Sequence, residues 1–249
     1  MVDLSLTVAL TAASTVPSIF VGLFVGFLLR GRSMTQPNTR LLILVTVAAG
    51  LTSWFFLDIM AASTYLGINQ PLTSATLFLV LLFVIAFLVT VMLDPHSKPG
   101  RSYDPIFIAA IVISFHGIGE GIAIGSILSS AADPIAAIGG PLSATSFVIH
   151  KALEAFIVSV VATGLGKYAW RVIAAGSILA VPTILGAISG YLFFPNATIF
   201  FAGASGGTLW LLSTLLAKSM TLQSRFKWAV ALLFGVMLMF LAGTLHSIR

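Results

Sequence analysis

Two heptapeptides decide how this chain is read: Phe115-His116-Gly117-Ile118-Gly119-Glu120-Gly121 and Ile149-His150-Lys151-Ala152-Leu153-Glu154-Ala155. Each sets a histidine four residues before a glutamate, inside a long apolar run. Four residues is about one turn of α-helix, so His116 stacks over Glu120, and His150 over Glu154, on one helix face. Two such pairs facing each other present two imidazoles and two carboxylates, a donor set suited to a divalent transition metal. The apolar runs around them are about twenty residues long, the length that crosses a bilayer.

Composition agrees with a membrane location. The chain is 59% hydrophobic and 8% charged, with a mean hydropathy of +1.11, beyond what a soluble domain of 249 residues shows. It has no cysteine, which excludes a disulfide framework and a thiolate metal site. The net charge is +5, yet ten of the twelve Lys and Arg fall in short stretches between apolar runs, where they act as topology signals. No basic run is long enough to hold nucleic acid, so no nucleic-acid partner is expected. The first residues carry Asp3 and no positive segment, so no cleaved signal peptide is expected.

Counting apolar runs gives eight transmembrane helices in a single all-α membrane domain over residues 1–249, at about 4–29, 41–65, 71–93, 105–128, 141–166, 172–194, 197–217 and 228–246. Pro17 is a candidate bend in the first. Arg30, Arg32 and Arg40, then Lys98 and Arg101, then Lys167 and Arg171, then Lys218, Arg225 and Lys227 fall in alternate loops. The other loops, near Gly67 and Asn69, Asp133 and Pro134, and Pro195 and Asn196, hold no Lys or Arg. The positive-inside rule then makes the charged loops cytoplasmic and both termini external. The longest loop runs from Asp94 to Asp104; its Asp94 and His96 could touch a passing cation, but an ordinary polar turn is the better reading.

Glycines at four-residue spacing, Gly117, Gly121 and Gly125, form a ladder in the fourth span that lets a neighbouring backbone approach closely. The fifth span is the expected neighbour, and Gly119 adds a possible kink. Gly22 and Gly26, Gly186 and Gly190, and Gly203 and Gly207 repeat the spacing elsewhere.

Of seven acids, Asp58, Glu120 and Glu154 lie well inside spans. A charge at that depth costs roughly 2.5–3.5 kcal/mol unless paired, hydrated or metal-bound, so it marks a site. His116, Glu120, His150 and Glu154 are the candidate metal ligands, all near the midplane of consecutive spans. Ser143 and Ser146 extend the His150 and Glu154 face outward into a polar stripe, a candidate ion path. Lys151 is too deep to snorkel, repels a second cation, and is positioned to pair with Glu154 or Glu120 when no metal is present. Asp58 is either an entrance ligand or a hydrated interface residue.

These fragments resemble the ZIP family of divalent metal transporters. The family's fourth-span His-x-x-x-Glu-Gly is matched by His116, Glu120 and Gly121, and its fifth-span His-Lys-x-x-Glu by His150, Lys151 and Glu154. Phe56-Leu57-Asp58 stands where the family often has Phe-Leu-His, and Leu185-Gly186-Ala187 is similar to a sixth-span segment. Members with two adjacent metals use further polar ligands at positions held here by Gly117, Lys151 and Thr183, and some have acids where this chain has Ser213 and Thr214. One metal site is therefore the safer expectation.

The resemblance implies uptake of Zn²⁺, or of Fe²⁺, Mn²⁺ or Cd²⁺, toward the cytoplasm across the cell membrane. It implies alternating access, with the fourth and fifth helices moving against the rest. The metal is then substrate and no cofactor or enzymatic activity is expected; the other partner is the lipid bilayer, and a homodimer is compatible. The alternatives are an intramembrane zinc-dependent hydrolase, which lacks a His-Glu-x-x-His segment, a receptor or scaffold with a structural metal, and a metal-free proton-linked permease.

Overall fold

The computed structural model describes residues 2–30, 39–62, 73–93, 104–162, 168–193 and 196–245. Among them are the helices α1 (Leu4–Arg30), α2 (Thr39–Ala62), α3 (Ser74–Leu93), α4 (Pro105–Ser130), α5 (Pro134–Ala137), α6 (Gly140–Val161), α7 (Tyr168–Phe193), α8 (Thr198–Ser219) and α9 (Arg225–Leu245). All but α5 are long and apolar enough to span a membrane, so the expected eight are present. No strand occurs among the described residues, as expected where every backbone polar group must be satisfied without water.

Local chemistry sets the boundaries. Asp104 caps α4 by accepting a hydrogen bond from the Ile106 N–H, with Pro105 in the first turn. Asp133 accepts from the N–H groups of Ile135 and Ala136, so the stretch around Asp133 and Pro134, expected to be a plain loop, holds the short helix α5. Gly139 and Gly140, at φ of +90° and +87°, reverse the chain between α5 and α6, a backbone region in which a Cβ is strained. The fifth span was expected to reach about residue 166, but α6 stops at Val161, where Ala162 turns extended. The last span begins at Arg225, not 228, because Ser224 starts the helix by accepting from the Lys227 and Trp228 N–H groups. Pro17 and the glycine-rich Gly117 to Gly121 segment lie within uninterrupted helices. Arg32, the Gly67 and Asn69 loop, Asp94, His96, Lys98, Arg101, Lys167, Pro195 and His246 lie outside the described residues.

The two membrane faces differ. At the first, the Val2 N–H donates to the Ala131 carbonyl and the Tyr191 hydroxyl to the Val2 carbonyl, gathering the start of α1 and the ends of α4 and α7. At the second, Arg171 pairs with Asp104 at 3.0 Å, and Arg40, Lys218, Arg225 and Lys227 begin or end helices there. No Lys or Arg among the described residues lies at the first face.

Packing divides the helices into two groups. In the site group, α4 packs chiefly on α7, and α1 on α6 and α7; in the frame group, α2 packs on α9 and α8, and α3 on α8. Glycines make the closest of these contacts. A Cβ on Gly121 or Gly125 would overlap the α7 backbone at Thr183 or Ala187, and one on Gly186 or Gly190 would overlap the α4 backbone. Gly22 meets the α6 backbone at Ala152, Gly50 and Gly235 weld α2 to α9, and Gly206 meets α3 at Phe83. The α4 ladder therefore packs on α7, not on the fifth span as expected. The ladder is offset by one residue, about 100° of rotation, from the His116 and Glu120 row, so the two rows cannot face one neighbour. Gly203 has nothing within 4 Å of where a side chain would be, whereas the nearest atoms to a Cβ on Gly207 belong to the Val112 side chain of α4; of that expected ladder only Gly207 makes a close contact, with a side chain and not with a backbone.

Candidate metal centre

Each ligand pair is held at the middle of its helix. His116 is the twelfth residue of α4 and His150 the eleventh of α6. His116, Glu120, His150 and Glu154 are 4%, 6%, 1% and 3% exposed, and one donor atom from each lies within 4.8 Å of the others. The four residues named from their spacing thus meet at one point.

The carboxylates divide their oxygens between two tasks. Oε1 of Glu154 is 2.9 Å from His150 Nε2 and 3.4 Å from His116 Nε2; Oε1 of Glu120 is 3.2 Å from His116 Nε2 and 3.8 Å from His150 Nε2. Both Oε2 atoms turn to Lys151, whose Nζ pairs with Glu120 and lies 2.8 Å from Glu154. Lys151, 1% exposed, bridges both acids where sequence reasoning offered one or the other. Two Nε2 and two Oε1 atoms converge, a mixed nitrogen and oxygen set of the kind that holds Zn²⁺.

Hydrogen bonding leaves this set incomplete. Both nitrogens of His116 and Oε1 of Glu154 are buried without a hydrogen bond of acceptable geometry. Buried polar atoms are nearly always satisfied in folded proteins, and a cation bound by the converging lone pairs would satisfy His116 Nε2 and Glu154 Oε1 together. The donor set therefore fits a metal.

The surrounding side chains are apolar. Phe55 of α2 lies edge-on to His116, centroids 4.7 Å apart, and 5.9 Å from His150; Phe201 of α8 lies 5.4 Å from His116. The Phe201 ring fills the space a side chain at Gly119 would need. These aromatics were not singled out from the sequence, although Phe55 precedes Asp58 by three residues and so shares its face.

The remaining candidates separate from the cluster. Ser143 and Ser146 are buried on the His150 face as expected, but the Ser146 hydroxyl donates to the Ala242 carbonyl of α9 at 2.8 Å, and Ser143 lines a cavity of about 250 Å³ with Thr11, Ser14 and Phe147. Asp58 is half-buried beside Gly243 of α9, outside the four-residue cluster. Thr183 stands over Gly117 and donates to its own helix at Leu179. Ser213 is exposed and bonds the Trp210 carbonyl.

Fold and site together define a multi-pass membrane protein with a buried His and Glu cluster able to hold a metal ion. No protein-family model matches the chain, and no curated protein matches it either.

Proposed function

We propose that this protein carries a divalent transition-metal cation, Zn²⁺ first among them, across the cell membrane toward the cytoplasm through one site made by His116, Glu120, His150 and Glu154, and that it is a ZIP-type transporter and not an enzyme. The observation that carries this reading is the convergence of four buried donor atoms at the middle of two membrane-spanning helices. The His-x-x-x-Glu-Gly and His-Lys-x-x-Glu segments support the family assignment, and the basic residues at the second face support a cytoplasmic location for it.

Release is as necessary as binding, and Lys151 serves it. Two carboxylates and one ammonium sum to a charge of −1 when the imidazoles are neutral, so a divalent ion leaves the loaded site at +1. Without Lys151 the loaded site would be neutral and would hold its ion longer. The lysine also leaves no room for a second cation at Oε2. Alternating access follows from the two helix groups. Within each group several glycines, Gly22, Gly121, Gly125, Gly186 and Gly190 in one and Gly50, Gly206 and Gly235 in the other, lie against a neighbouring backbone, whereas across the boundary the atoms nearest Gly119 and Gly207 belong to the side chains of Phe201 and Val112. Side-chain contacts slide more readily than interlocked backbones.

Burial of all four ligands is also what a structural metal would need. Uptake into proteoliposomes with a panel of divalent ions separates the readings: saturable flux that is lost in a His116→Ala, His150→Ala variant supports transport. Metal retained by purified protein without any wild-type flux supports the structural reading.

A further inference from the structure

We propose that Phe55 is the residue that closes the metal site toward the first face, so that an ion arriving there reaches the ligands only when this ring withdraws. The proposal rests on the transport reading. All five ionisable groups of the site belong to α4 and α6, whereas the rings against the imidazoles come from α2 and α8 of the frame group. Phe55 is wholly buried and contacts both imidazoles.

Its place along α2 gives the direction. The helix starts at the second face and ends at the first, and Phe55 stands seven residues before its end at Ala62, beyond its midpoint. Asp58 follows by three residues, half-buried, nearer the first face and beside Gly243 of α9. A cation approaching from that side therefore meets a hydrocarbon ring before the imidazoles. A phenyl ring offers no donor to replace a hydration shell, so it opposes a hydrated ion as a dewetted constriction does. Because the ring and the ligands ride on different helix groups, relative sliding by one helical turn, about 5.4 Å, uncovers the site with no change inside it.

The chain has no cysteine, so a single introduced thiol reports alone. A His116→Cys variant is combined with Phe55 unchanged, Phe55→Ala, Phe55→Leu or Phe55→Tyr. A membrane-impermeant thiol reagent is then applied from each face separately, in chelator. Modification from the first face is expected to be at least tenfold faster in Phe55→Ala than with Phe55 present, intermediate in Phe55→Leu and restored to the slow rate in Phe55→Tyr; from the second face it is unchanged. Equal rates in all backgrounds, or acceleration from the second face, overturn the proposal. If Phe55→Ala does not fold, Phe55→Leu, which keeps most of the packed volume, is read in its place. In parallel, Co²⁺ is titrated into protein with both histidines intact. A wild type that binds no Co²⁺ sinks the transport reading, whereas the thiol rates judge Phe55 alone.

Discussion

Over its most apolar eighteen residues α4 is 72% buried and α3 only 17%, although α3 has the higher hydropathy, 3.0 against 1.9. In water the more apolar helix would lie inside. In a bilayer the most apolar helix can stay at the outside, where Leu77, Leu81, Leu88 and Met92 of α3 are exposed, and the centre goes to the helix whose polar groups need shelter. The same difference separates the two helix groups. The site group holds every ionisable residue of the cluster, while the frame group offers it Phe55 and Phe201. Chemistry is concentrated in one group, and the other supplies apolar rings against it.

The largest expected effect comes from unbalancing the site group. In a Glu120→Gln, Glu154→Gln variant Lys151 is a buried ammonium without a carboxylate, and breaking such a pairing costs about 3–5 kcal/mol. Thermal unfolding in detergent should show the loss, and adding Lys151→Met should recover most of it. A double variant as stable as the parent would mean that Lys151 does not depend on these acids.

Packing differences should come next. Gly121→Val forces the α4 and α7 backbones apart, and overpacking of this kind typically costs about 1–3 kcal/mol. Gly203→Ala, with open space before it, should stay within about 0.5 kcal/mol of the parent. Equal effects in the same unfolding assay would remove the basis for distinguishing welded from open glycines. Lys151→Met alone should tighten binding of a single divalent ion roughly tenfold, about 1.4 kcal/mol, and slow turnover, as read by isothermal titration and initial uptake rates. Unchanged affinity would contradict the role given to its charge.

The smallest effect is expected at the rim. The Asp3 carboxyl is held below its ordinary range, first by the Leu6 N–H and next by the Ser5 hydroxyl, and it caps α1. Such a cap is fully present above the ordinary carboxylate range and lost as the pH falls through the lowered value. Asp3→Ala should speed amide exchange at Leu6, whose N–H donates to the carboxylate, at neutral pH, and the difference should vanish in acid. Uptake should be unaffected.

Much of this contrast was legible in the sequence, because it rests on spacing. The four-residue step of His116 and Glu120, and of His150 and Glu154, fixed which atoms share a face, and span length fixed their common depth. Contacts between helices were less legible. The α4 glycine row could be assigned a face but not a partner, and α7 was found only in three dimensions. Phe55 is one of 19 phenylalanines, and nothing local marks it as the ring that meets both imidazoles. Lys151 reaching both acids likewise depends on how close α4 and α6 come, which no spacing along either helix encodes.

The central claim is that a divalent ion passes through the His and Glu cluster of the site group. Zn²⁺ uptake into proteoliposomes, followed with a lumenal zinc indicator, tests it most directly. The account requires saturable uptake by the wild-type protein, reduced at least a hundredfold in the His116→Ala, His150→Ala variant while the protein stays folded. Uptake that survives in that variant at the wild-type rate would contradict it.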